Sequence, residues 1–181
     1  MILSVGIGGA WRYAGTSEEK SRLVGEVMES LEGEAGEGRD WSPGQDAWLS
    51  LAEERHSGDN PVADNFLRLA VNRATGFGAL IWFVADDSPR LGGVYEQVWV
   101  SDNPEPPGAD PRVVSDPGYP LFHDSSSALP LARVRAAVEE FWRIGTGDRP
   151  ECIDWVPGHM NGQRLDRPSV VETVGAVDPF A

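Results

Sequence analysis

Three histidines, His56, His123 and His159, and a single cysteine, Cys152, are the side chains of this 181-residue chain best suited to hold a metal or carry a nucleophilic step. None of the histidines stands in a His-x-Glu or His-Glu-x-x-His arrangement, and one cysteine cannot make a CxxC pair or an intramolecular disulfide. His56 with Asp59 and His123 with Asp124 bring an imidazole near a carboxylate. A protein metal site needs three or four ligands in fixed geometry, so these pairs read instead as exposed histidines of polar loops. Cys152, within the apolar stretch "CIDWV", reads as a small buried strand residue. No Gly-x-Ser-x-Gly is present, and "DSSS" at Asp124 to Ser127 reads as turn and helix-start chemistry. "GIGG" at Gly6 to Gly9 lacks the third spaced glycine and the Lys-Ser or Lys-Thr of a phosphate loop, so it reads as a strand end with a turn. Adjacent carboxylates such as Asp86 and Asp87 could act as general acid and base in a glycosidase. With twenty-nine carboxylates in the chain, neighbouring pairs arise without purpose. The expectation is no metal, no nucleotide or other cofactor, and no catalytic set.

Charge is the more informative chemistry. Fifteen basic against twenty-nine acidic residues leave a net charge of −14, which repels phosphate backbones and suits a basic protein partner. Between Asp86 and Asp124 there are eight acids (Asp86, Asp87, Glu96, Asp102, Glu105, Asp110, Asp116, Asp124) and two bases (Arg90, Arg112). They flank a segment carrying Tyr95 and Trp99. An acidic, loop-rich edge with an aromatic anchor is a candidate docking face, and its candidate contact residues are Asp86, Asp87, Glu96, Trp99, Asp102 and Glu105. The plain alternative is a set of solvated loops. Of the seven tryptophans, Trp82, Trp142 and Trp155 fall in periodic segments and read as core, whereas Trp41 and Trp99 read as exposed.

The elements that must position these residues follow from period and punctuation. "MILSVGIGGAW" opens with an apolar stretch that fits a strand. A helix is expected over 16–32: Thr16 and Glu19 have capping-box spacing, and Leu23, Val24, Val27, Met28 and Leu31 share one face. "EGEAGEGRDWSPGQD" reads as a mobile glycine-rich connection ahead of a short helix over "QDAWLSLAEER". Strands are expected over 66–72 and 79–84, with turn glycines between them, then over 94–101 and 151–156. The strongest helix spans 130–144, with Pro130 in its first turn, Leu131, Val134, Val138, Phe141 and Trp142 on its apolar face, and Gly145 as its C-terminal cap. The sum is a single α+β domain over 1–181, mainly an antiparallel sheet with helices packed on one face, and an irregular C-terminal tail over 157–181. No stretch approaches the ~20 apolar residues of a membrane span, and the amino terminus lacks a basic leader, so a cytoplasmic location is expected.

Three groups of residues carry a resemblance. Leu69 and Val71 are followed by Gly78, Ala79 and Leu80 on a hairpin. Leu129 and Pro130 open a helix that ends on Glu140 and Phe141. Thr146, Gly147, Arg149 and Pro150 precede Trp155. Over Phe66 to Val156 the chain resembles the actinobacterial immunity proteins of family one, which accompany polymorphic toxins, particularly deaminases acting on nucleic acid. The resemblance implies a non-enzymatic inhibitor that binds a cognate deaminase toxin domain and covers its active site or substrate groove. The shared residues look structural, so no toxin contact carries over from the family. The competing readings are a small hydrolase using loop carboxylates and a general acidic interaction module. A carboxylate or histidine pair buried in a cleft would favour the hydrolase; a chain that ignores deaminase domains would favour the module.

Overall fold

The computed structural model describes residues 1–32, 46–90, 97–116 and 121–167. Among them, ten strands and two α-helices follow in the order β1 (Ile2–Ile7), β2 (Ala10–Ala14), α1 (Ser17–Glu32), β3 (Asp46–Ala52), β4 (Asn65–Asn72), β5 (Phe77–Val84), β6 (Val98–Asp102), β7 (Val114–Asp116), β8 (Leu121–Phe122), β9 (Leu129–Pro130), α2 (Leu131–Ile144) and β10 (Asp154–Pro157). The main sheet is antiparallel, in the order β10-β6-β5-β4-β3-β1-β2, and β9 adds to β5 where β6 leaves it. At that departure the Ser101 hydroxyl accepts from the Leu80 amide and donates to the Ser127 carbonyl, keeping a buried backbone group satisfied. The fold is α+β, as the sequence pattern indicates.

Alternation along the strands assigns the two faces. Leu3, Val5, Leu49, Leu51, Leu67, Leu69, Leu80, Trp82 and Val84 turn to one face and join the apolar stripes of α1 and α2 in one core cluster. In α2, Val134, Val138 and Phe141 are almost fully buried, as the helical period requires. The ends of both helices form as their sequences dictate. Thr16 Oγ1 accepts from the Glu19 amide and Glu19 Oε2 accepts from the Thr16 amide, a reciprocal cap on α1. Gly145, at φ 73°, closes α2 in the left-handed region.

Four expectations need correction. "DAWLSLA" is strand β3, not a helix: Ala47, Leu49 and Leu51 enter the core while both edges of the strand pair, with β1 and with β4. The chain also makes a strand that the sequence pattern did not separate, β2, folded back on β1 through Gly8 and Gly9 at φ 58° and 79°. The last strand begins at Asp154, because the amides of Glu151 and Cys152 are taken by the Glu140 carboxylate instead of a neighbouring strand. Cys152 is accordingly exposed, not buried. The third expected strand is described from Val98; Val94, Tyr95 and Glu96 lie outside the described residues, as do Trp41 and the glycine-rich connection. Residues 158–167 carry no strand, yet a bridge between Gly158 and Arg164 folds them on themselves, and the Gly158 amide on the Val98 carbonyl, Arg68 on the Met160 carbonyl and the buried Arg164 on Asp102 hold them against the sheet.

Candidate functional site

The predicted docking residues do not converge. Asp86 and Asp87 are exposed in the turn after β5, where the Asp86 carboxylate accepts from the Gln97 side-chain amide. Glu105 is exposed beyond the far end of β6, so the sheet separates it from Asp86. Trp99 and Asp102 sit on the same strand but on opposite faces, three residues apart in a period of two. Trp99 lies on the helix side, half-buried against the core, with the Arg149 guanidinium 3.8 Å from its ring centroid. The Asp102 carboxylate is 2.7 Å from Arg164. Trp99 is therefore part of a stack, not an exposed anchor, and Asp102 secures the 158–167 segment. Glu96 lies outside the described residues.

The "TGDRP" segment is occupied in the same structural way. The Gly147 carbonyl accepts from the Trp82 indole and the Pro150 carbonyl from the Trp155 indole. A Cβ on Gly147 would stand 2.3 Å from the Asn65 side chain, whose amide bonds both ways with the backbone of Leu51. Arg90 joins this corner by pairing with Asp64 and Asp148.

The histidines are placed differently from expectation. His56 and His123 are buried rather than exposed. His56 Nδ1 accepts from the Ala63 amide, so the ring is held with that nitrogen unprotonated, and burial lowers its pKa. Burial, with the nearby positive charge of Arg68, lowers His123 to about 3. His159 is exposed. Although Cys152 is exposed as a residue, partial shielding of its thiol from water and the adjacent Glu140 carboxylate push it up to about 11, so at neutral pH it is a thiol and a poor nucleophile. Among the described residues, no three or more His, Cys, Asp or Glu side chains gather as metal ligands. A shallow groove between β2 and α1 is lined by Arg12, Tyr13, Glu19, Arg22, Leu23 and Glu26, and Arg12 pairs with Glu26 across it.

What the sequence reading missed is on the sheet face turned away from the helices. Trp11, Trp48, Phe66 and Phe83 lie there, each partly exposed, and His56 stands among them. Phe66 and Phe83 stack at 4.7 Å; His56 meets Phe66 edge-on at 5.1 Å and Trp11 at 5.2 Å; Trp48 meets Phe83 edge-on at 5.7 Å. Asp46 fixes one end of the row by accepting from both the Trp48 indole and Arg68, whose guanidinium lies 5.1 Å from the Trp48 ring centroid. The usable signal was the alternation itself. A half-exposed sheet should turn polar residues outward, and the outward positions of β2, β3, β4 and β5 each hold an aromatic ring.

Residues 8–157 match the family model described as Immunity protein Imm1. No curated protein and no solved structure matches the chain.

Proposed function

The chain belongs to the Imm1 family of immunity proteins, and from that premise we propose that it neutralises a cognate toxin of the nucleic-acid deaminase class by binding the toxin domain and covering its active site or substrate groove. An immunity protein has a cognate toxin as its partner; the deaminase class is the further step. The observation that carries it is the family match over 150 residues taken together with the net charge of −14. A toxin that handles nucleic acid presents basic residues to phosphates, and an acidic protein offers carboxylates in their place. The inhibitor works by occupancy, with no turnover, in the cytoplasm of the cell that makes the toxin. Asp86, Asp87 and Glu105, all exposed, supply part of the acidic field that speeds encounter.

The test is co-expression with the cognate toxin domain, followed by deamination of single- and double-stranded DNA and of RNA by the purified toxin with and without an equimolar amount of this chain. Rescue of growth and stoichiometric loss of deamination are expected. A toxin domain that binds the chain but cleaves nucleic acid or acts on another substrate would replace the deaminase assignment and leave the immunity role standing.

A further inference from the structure

We infer that the aromatic row on the open sheet face, Trp11, Trp48, Phe66 and Phe83 with an acidic margin, is the surface that seats a basic face of the toxin domain. This rests on the immunity reading and adds to it the place where the partner sits.

Three observations carry it. The first is composition against position. The sheet buries one face under α1 and α2 and part of the other under Val113, Ala128 and the segment of Met160, and the four rings, left partly exposed beside that cover, belong to neither buried cluster. Large apolar rings left partly in water on a sheet face mark an interaction surface more often than solitary exposed residues do. The second is rigidity. His56 is pinned by its bond from the Ala63 amide and wedged between Trp11 and Phe66, and Trp48 is pinned by Asp46. Rings fixed before binding lose little conformational entropy when a partner covers them, which is the property of a binding hot spot.

The third observation selects the partner's charge. Glu53, Glu54 and Asp59 lie exposed in the segment that carries His56, and Asp86 and Asp87 lie exposed just beyond Phe83. The arginines in this region are engaged within the chain: Arg12 with Glu26, Arg68 with Asp46, Arg90 with Asp64 and Asp148, while Arg55 lies over the Tyr13 ring. Among the described residues, Glu54, Asp59, Asp86 and Asp87 take part in no ion pair, so the margin presents carboxylates to whatever approaches. An apolar centre within an acidic rim complements a toxin surface of arginines and lysines around an apolar or aromatic pocket, such as a groove that stacks bases and holds phosphates.

The experiment uses the full chain and the cognate toxin domain made catalytically inactive. Binding is measured by titration calorimetry for the wild type, Phe83→Ala, Trp48→Ala and, as a control on the helix side, Arg143→Ala. The two aromatic variants should weaken binding by about tenfold or more, and the control should leave it within about twofold. Hydroxyl-radical footprinting of the unaltered chain adds a readout that needs no variant to fold: Trp11, Trp48, Phe66 and Phe83 should be protected in the complex. Wild-type binding with no protection of the four rings overturns the inference and leaves the immunity reading intact. Failure of the wild type to bind or inhibit the toxin overturns that reading and this inference with it. Sedimentation of the free chain supplies the remaining outcome. A stable dimer in which the same rings are already protected assigns the face to a second copy and also overturns the inference.

Discussion

His123 and Gly147 show how much single residues here are committed to structure. His123 has its pKa lowered to about 3 by burial and by Arg68, whereas an unfolded histidine titrates near 6.5. Between those values the unfolded chain binds the extra proton and the native chain does not, so stability falls as pH drops from about 6.5 toward 3. His56 is lowered in the same direction. Urea unfolding of wild type and His123→Gln at pH 7 and pH 5 checks this: the wild type should lose more stability than the variant over that interval, which lies above the range where carboxylates titrate. Equal losses would mean that the histidine is protonated at little cost in the native state. Gly147 is constrained in two ways, by φ at 84° and by the Asn65 side chain that a Cβ would strike. Gly147→Ala should cost about 2 kcal/mol or more in urea unfolding, since Asn65 holds the Leu51 backbone and cannot simply yield.

At the scale of elements, the capped helix and the anchored tail make opposite predictions. Gly25 lies in the middle of α1, and a Cβ there would meet nothing within 4 Å. Gly25→Ala should therefore stabilise the protein by about 0.5–1 kcal/mol, read as a rise in the urea midpoint with an unchanged slope. Arg164 is the buried anchor of the 158–167 segment, beside the Arg68 bond to the Met160 carbonyl and the Arg167–Asp124 pair. The Arg164 side chain is 4% exposed and pairs with Asp102 and Asp166 while also donating to the Ser126 carbonyl. Removing this buried cation leaves Asp102 and Asp166 without their partner, while the Ser126 carbonyl keeps the Asn103 amide, so Arg164→Met should cost about 3 kcal/mol. Its amides over 158–167 should exchange with deuterium faster than in the wild type. Unchanged exchange would show that the Gly158 amide on Val98, Arg68 on the Met160 carbonyl and the Arg167–Asp124 pair hold the segment without the arginine.

At the scale of the whole molecule, the net charge of −14 predicts how the partner arrives. Association with a basic toxin domain should slow several-fold as salt is raised from low to about 0.5 M, with dissociation changing less, because steering acts over distances that salt screens. Reversing Asp86 and Asp87 to lysine should reduce both the low-salt rate and its salt dependence in stopped-flow measurements, while the aromatic rings should govern the lifetime of the complex. The parts of this protein legible in its sequence are those set by neighbours along the chain: the α1 cap at Thr16 and Glu19, the α2 stripe ending at Gly145, the β4–β5 hairpin and the acidic balance. Short-range hydrogen bonds and the helical period decide these, so residue order is enough. Tertiary structure alone decided that "DAWLSLA" is a strand, since its edges need partners about 40–50 residues away on one side and about 20 on the other. It alone decided that Trp99 lies under Arg149 while Asp102 faces the other side, and that Trp11, Trp48, Phe66 and Phe83 meet in one row. Which rings adjoin across a sheet is fixed by strand order and register, and neither is written in the spacing of residues within a strand.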